Sequence, residues 1–235
     1  MTEYSNVEPP SVCPLDLVIE SNHRIANNLS TLVTILQKQV AAMRTGPELI
    51  PRQEVVDELS ETIGKILAVS GLHRTLTAQP APGELDLDNV LTEILQAFKT
   101  SGIFGDRLHI GSSVGAGCLV ESSQAAMLAL AFSEIVTNAM KYAHPTGLPV
   151  ELSITSAPTP DGGVVLQIAD DGIGLPEGFV ESRDAGIGLK LVRSLVENAG
   201  GRLETKSDEL GLTFSIELSP KAGQPRCGLI SGGGD

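Results

Sequence analysis

Two long stretches of helix-period hydrophobicity, closed by a proline-rich break, constrain the fold of this chain more than any other feature. From about Leu15 to Arg44, residues Val18, Ile25, Leu29, Leu32, Leu36 and Met43 recur at alternating steps of three and four, with Asn22 and Gln39 as polar positions on the same seam. Thr45-Gly46-Pro47 ends that helix, with glycine as cap and proline beyond. A second helix is predicted to start near Pro51, to carry a stripe of Val56, Leu59, Ile63 and Ile66, and to fade near Leu76. Residues 15–78 therefore read as an antiparallel helical hairpin. Two helices cannot enclose both stripes, so the hairpin is expected to pair with a second copy of the chain as a homodimeric four-helix bundle.

Gln79-Pro80-Ala81-Pro82-Gly83 opens a linker over 79–85, and beyond it the pattern changes. Leu85 to Leu87 is a short strand candidate, and Asp88 is placed to cap a helix through Phe98. Strands are predicted over 108–110, 118–120, 150–156, 164–169, 202–206 and 212–218, with helices over 124–143 and 188–199. That order implies an α/β sandwich over 86–220, a sheet covered by helices on one side, and makes the whole chain α+β. The polar start, 1–14, and the glycine-rich end, 221–235, are expected to be loose tails.

Composition excludes several classes. Hydrophobic residues make up 41% of the chain, enough for a packed core. A net charge of −13 argues against non-specific nucleic-acid binding and against docking on an acidic membrane. Cys13, Cys118 and Cys227 are odd in number and far apart, with neither a disulfide framework nor metal spacing. The longest apolar run, Ala125 to Phe132, is too short to cross a bilayer, and no signal peptide opens the chain. A cytoplasmic protein without membrane insertion is expected.

Four clusters carry chemistry. In the first helix, Glu20, His23 and Asn27 fall on neighbouring turns of one face, away from the apolar seam. On the helix over 124–143, Glu134, Asn138 and Lys141 form a polar stripe on an otherwise apolar surface. A carboxylate, an amide oxygen and an ammonium so arranged suit a magnesium-bound polyphosphate, although an ordinary solvated Glu-Lys face would look the same. Asp170-Asp171-Gly172-Ile173-Gly174 follows a strand, and its aspartate is placed to accept from an exocyclic amine. Gly186-Ile187-Gly188-Leu189-Lys190 leads into a helix whose N-terminus offers donors to phosphate. Each cluster alone is a common pattern.

In this order and spacing the last three resemble the asparagine box and two glycine boxes of the Bergerat-type ATP-binding fold shared by gyrase, Hsp90, histidine kinases and MutL (the GHKL superfamily). Glu20-xx-His23-Arg24-xx-Asn27-Asn28-Leu29 resembles the phosphoacceptor hairpin of a histidine kinase subfamily, HisKA_2, related to the HWE kinases, in which arginine follows the acceptor histidine. The resemblance covers residues 15 to about 220 and implies an ATP- and Mg2+-dependent protein-histidine kinase of a two-component system. It implies that His23 is the phosphoacceptor, Glu134 the carboxylate near the γ-phosphate, Asn138 the magnesium ligand and Lys141 a phosphate contact. Asp170 would bond the adenine amino group, Gly172, Gly174, Gly186, Gly188 and Leu189 would surround the nucleotide, and 175–185 would be a mobile lid.

Three departures from the subfamily stand out. Ala26 replaces a usual lysine, Leu130-Ala131-Phe132 precedes the box glutamate where relatives often carry asparagine, and about 14 residues ahead of the hairpin are too few for a sensor domain. Glu20 either orients the imidazole of His23 or merely pairs with Arg24. The expected route runs from ATP to His23 and on to an aspartate of a response-regulator receiver domain. The alternative is a phosphotransfer or phosphatase relay protein with little kinase activity of its own. A serine kinase of the anti-sigma type would not need the histidine hairpin.

Overall fold

The computed structural model describes residues 14–45, 49–78, 83–115 and 117–219, with the side chains of 14–26, 42, 78, 114, 181 and 182 outside that description. Two helices come first, α1 (Pro14–Arg44) and α2 (Arg52–Ala78). A short strand β1 (Glu84–Asp86) then leads into α3 (Leu87–Ser101). The cap of α3 is Asp86 and not Asp88. The Asp86 side chain accepts from the Asp88 backbone N–H, because β1 runs straight into the helix and leaves Asp88 inside the first turn.

The remaining elements are β2 (Leu108–Val114), β3 (Leu119–Glu121), α4 (Ser122–Tyr142), β4 (Val150–Pro158), β5 (Val164–Asp170), a single turn α5 (Glu181–Asp184), α6 (Ile187–Asn198), β6 (Gly201–Asp208) and β7 (Gly211–Leu218). Five strands form one sheet in the order β2-β4-β5-β7-β6, parallel only between β2 and β4. β1 and β3 pair separately as a small antiparallel ribbon. Along β4 every second side chain from Val150 to Ser156 is buried, so the sheet offers one face to the core and one to solvent.

Helices α4 and α6 pack together over the covered face. Gln124 at the start of α4 donates to Ala199 O at the end of α6, at 3.2 Å, and accepts from Glu121 N in a capping box. The α+β class expected from the sequence is borne out by these elements.

The hairpin does not stand apart from this sandwich. Helix α2 packs against α3 and α4, and Leu32, Ile35, Ala68 and Leu72 join the core residues of the sandwich in one continuous cluster. Small residues make the close approach possible. A Cβ on Gly71 would stand 3.0 Å from the backbone of Ile94, and one on Gly64 would stand 3.1 Å from Ser133 Oγ.

The stripe predicted on α2 faces away from this contact. Val56, Leu59, Ile63 and Ile66 are 44–57% exposed, and on α1 Leu29, Val33 and Val40 are similarly exposed. The buried face of α2 is built instead from Glu61, Gly64, Lys65, Ala68, Gly71 and Leu72, too poor in large apolar residues to register as a stripe.

Candidate functional site

Three elements converge on one cavity of about 860 Å³. Helix α4 contributes Glu134, Asn138 and Lys141, the end of β5 contributes Asp170, and the lead-in and first turn of α6 contribute Gly186, Ile187, Gly188 and Leu189. Gly174, Leu175, Pro176, Phe179 and Asp184, from the segment between the glycine clusters, line it as well. The cavity thus collects predicted residues from all three downstream clusters, but not Gly172, which packs against Ala143 instead of lining it.

Asp170 is anchored by backbone. Its Oδ1 accepts from Gly172 N at 2.9 Å and from Leu212 N at 3.3 Å, which leaves Oδ2 for a ligand in the cavity. Burial pushes the Asp170 carboxyl above the ordinary aspartate value, against the pull of those two N–H groups. Its neighbour Asp171 points elsewhere, to Glu151 N at 2.9 Å and His144 Nε2 at 3.0 Å.

The glycines differ in need. Gly172 has no room for a side chain, since a Cβ would collide with Ala143 at the end of α4. Gly174 has φ +68°, the left-handed region that favours glycine. A Cβ on Gly188 would collide with Glu134 Oε1 and lie 3.1 Å from Asn138 Oδ1, so glycine there lets α6 close on the polar stripe of α4. Gly186 is different: it has extended backbone, and a Cβ would meet nothing, so space alone does not demand glycine.

Two residues that the sequence reading did not name reach the cavity's charged wall from α2. Lys65, 1% exposed, places Nζ 2.9 Å from Glu134 Oε2 and also pairs with Glu61. Glu61 in turn accepts from Lys141 Nζ at 2.6 Å and from Gln39 Nε2 of α1 at 2.6 Å. The ammonium of Lys65 is the charge partner of Glu134 Oε2.

Two carboxylates and two ammonium groups balance, which is what allows the set to be buried. Burial raises the Glu134 carboxyl, only partly countered by Lys65. Burial also pushes Glu61 upward, but hydrogen bonds from Lys141 and Lys65 outweigh it and hold Glu61 below the usual value. Lys141 is disfavoured by burial yet held above its ordinary value by Glu61. Glu61 and Lys65 stand at step four on α2, a spacing that reads on sequence as an ordinary surface pair.

His23 and Glu20 lie in α1, but their side chains are outside the described residues. Gln39, on the same helix, marks the level of the cavity. At about 1.5 Å per residue, His23 stands roughly 24 Å along α1 from it. Among the described residues no group of three His, Cys, Asp or Glu could hold a metal by itself, and no helix is long and apolar enough to cross a membrane.

Comparison with known proteins places this geometry. Residues 123–222 match the family of histidine kinase-, DNA gyrase B- and HSP90-like ATPases, and residues 20–101 match a histidine kinase family. The sensor histidine kinase PdtaS of Mycobacterium tuberculosis is 29% identical over 178 residues, 75% of this chain and 34% of that protein. The histidine-protein kinase/phosphatase MprB of Mycolicibacterium paratuberculosis is 25% identical over 81% of this chain and 39% of its own length. The chain thus spans little more than a third of the length of these two relatives.

Among solved structures, the histidine kinase domain of the blue-light activated kinase EL346 from Erythrobacter litoralis superposes with TM-score 0.62. It is 20% identical, over 87% of this chain and 93% of that one, a likeness of fold. The two family matches cover the hairpin and the ATP-binding domain in turn, and the chain belongs to the histidine kinases.

Proposed function

We propose that this chain is an ATP-dependent protein-histidine kinase core that phosphorylates His23 and passes the group to an aspartate of a response-regulator receiver domain. One observation carries the nucleotide half of that reading: the cavity joins Asp170, with Oδ2 left for a ligand, to Glu134, Asn138, Lys141 and the N-terminus of α6. Adenine is read against Asp170, and the phosphates against Lys141 and the backbone donors of the first turn of α6.

Asn138 beside Glu134 offers oxygen donors of the kind magnesium takes. The carboxylate of Glu134 suits a group that brings positive charge or a bound water. With too few protein ligands for a cage among the described residues, the ion would share the nucleotide's phosphates and neutralise their charge. The neutral imidazole of His23 attacks the γ-phosphorus in line. A nitrogen–phosphorus bond forms as the bond to the bridging oxygen breaks, ADP leaves, and the ring then loses a proton. The protein's part is positioning and charge stabilisation.

We further read residues 15–78 as the dimerisation and phosphoacceptor unit, 86–220 as the ATP-binding unit and 175–185 as the lid. The exposed stripes on α1 and α2 support a homodimer through the hairpin. A second reading, a relay or phosphatase with little kinase activity, is favoured by the ion pairs that Glu61 and Lys65 make with Lys141 and Glu134. Incubation of purified protein with labelled ATP and magnesium separates the two readings. The kinase reading expects acid-labile label that His23→Ala abolishes while ATP binding persists. An unlabelled wild type would favour the relay, and label retained by His23→Ala would sink the acceptor assignment.

A further inference from the structure

We propose that Glu61 and Lys65 of α2 form a charge lock on the ATP site, which magnesium-ATP must displace before His23 can be phosphorylated. The inference rests on the reading of Glu134 and Lys141 as nucleotide-site residues. Lys141 Nζ, the cation read as a phosphate contact, is held at 2.6 Å by Glu61 Oε2. Glu134, the anion read as lying beside the metal-bound γ-phosphate, is held at 2.9 Å by Lys65 Nζ. The hairpin therefore presents a carboxylate to the residue that would meet phosphate, and an ammonium to the residue that would meet the cation's side of the nucleotide.

Both intruders come from one helix, one turn apart, and both wall residues come from α4, two turns apart. The same cavity is lined on the α2 side by Glu54 and Glu58, so the docked hairpin opposes a polyphosphate with further negative charge. The lock is buried and well connected. Lys65 is 1% exposed, and Glu61 also accepts from Gln39 of α1, which ties the other hairpin helix to it.

A second observation makes this a resting arrangement. With α2 docked, the cavity lies at the level of Gln39, roughly 24 Å along α1 from His23. A nitrogen must approach the γ-phosphorus to about 3–3.5 Å for transfer. Every copy of the hairpin carries its histidine at the same level, so neither transfer within a chain nor transfer across a parallel dimer works from the docked state. Separation of α2 from the charged wall frees Lys141 and Glu134 and also allows the cavity to move along the hairpin. One contact thereby governs both nucleotide binding and access to the acceptor. Binding of nucleotide and docking of the hairpin are then mutually exclusive at these four residues, and each weakens the other by the same factor.

The test uses the full chain, a non-hydrolysable ATP analogue with magnesium, and the near-isosteric double variant Glu61→Gln/Lys65→Met. The variant removes both intruding charges together and leaves no new net charge at the interface. It is expected to bind the analogue roughly tenfold more tightly or better, and to autophosphorylate faster by at least that factor. Equal affinity of the folded variant and wild type overturns the lock.

Hydrogen exchange on the wild-type protein gives a readout that needs no variant. Saturation with the analogue should speed exchange of the backbone amides around Glu61 and Lys65 as α2 leaves α4. Unchanged or slower exchange overturns the proposal, and decides alone should the variant not fold. Failure of the underlying site reading looks different: neither the wild type nor the double variant would bind the analogue, or the wild type would bind it equally well after Asp170→Asn.

Discussion

Asp170 gives the sharpest separation between a structural and a ligand-binding contribution. Its Oδ1 takes both backbone donors, Gly172 N at 2.9 Å and Leu212 N at 3.3 Å, and its Oδ2 is left for the nucleotide. Asp170→Asn keeps an acceptor at Oδ1, so both backbone bonds survive, but it puts an amide N–H where Oδ2 was. A charged hydrogen bond to the adenine amino group is replaced by donor facing donor. Such bonds are worth about 1.5–3 kcal/mol, so ATP affinity should fall by roughly 10- to 150-fold with little change in stability.

Asp170→Ala should lose at least as much affinity and, in addition, strand two half-buried backbone donors. Each costs about 1–3 kcal/mol when left unmade, partly relieved where water from the cavity reaches it. Calorimetric titration with the ATP analogue, beside urea unfolding of the same samples, reads both quantities. Unchanged affinity for Asp170→Asn would refute the adenine assignment. Equal destabilisation by the asparagine and alanine variants would refute the division of labour between the two oxygens.

Nucleotide affinity should also weaken on acidification earlier than an ordinary aspartate would allow. Burial raises the Asp170 carboxyl, so it loses its charge as pH falls through a range above the usual aspartate value. Titrations at stepped pH on a protein that stays folded check this, and affinity flat across that range would contradict it. Leu59→Glu/Ile63→Glu places two charges on a stripe whose members are 57% and 44% exposed, and should leave a monomer at micromolar concentration by light scattering. A dimer unaffected by these changes would move the interface elsewhere. Gly71→Ala puts a Cβ 3.0 Å from the Ile94 backbone. A gain of about 1 kcal/mol in helix propensity should be outweighed by overpacking of about 1–3 kcal/mol, for net destabilisation in urea. A stabilised Gly71→Ala variant would show that α2 and α3 can part without cost.

The sandwich was largely legible because its strands alternate and its helices carry periodic apolar faces. Along β4, Val150, Leu152 and Ile154 are buried while Glu151, Ser153 and Thr155 are exposed, the pattern the residue types announce. The cavity was legible for a different reason. Asp170, Gly172 and Gly188 answer local demands, an anchored carboxylate and two places with no room for a side chain, and these leave a mark in the residue type itself.

The docking of α2 left no such mark. Its buried face is glycine, alanine, a Glu61-Lys65 pair and the single large apolar Leu72, while Val56, Leu59, Ile63 and Ile66 face solvent. Hydrophobic periodicity finds a buried stripe only where burial is apolar, and here charge balance allows lysine and glutamate inside. Four-residue spacing of opposite charges has the same appearance on a surface and in a buried network, so Glu61 and Lys65 could be recognised only once their partners on α4 were known.

The glycine crossing of α2 has a mechanical consequence. At Gly71 the backbone of α2 meets that of α3 with no slack, whereas at Glu61 the contact is made by side-chain tips. Those positions lie roughly 15 Å apart along the helix. A tilt of about 15° pivoting on the crossing would swing Glu61 by roughly 4 Å while leaving the crossing in place. That arc exceeds the 2.6 Å separating its carboxylate from Lys141. The hairpin can thus act as a first-class lever, whose fulcrum is set by the absence of a side chain and whose long arm carries the charges.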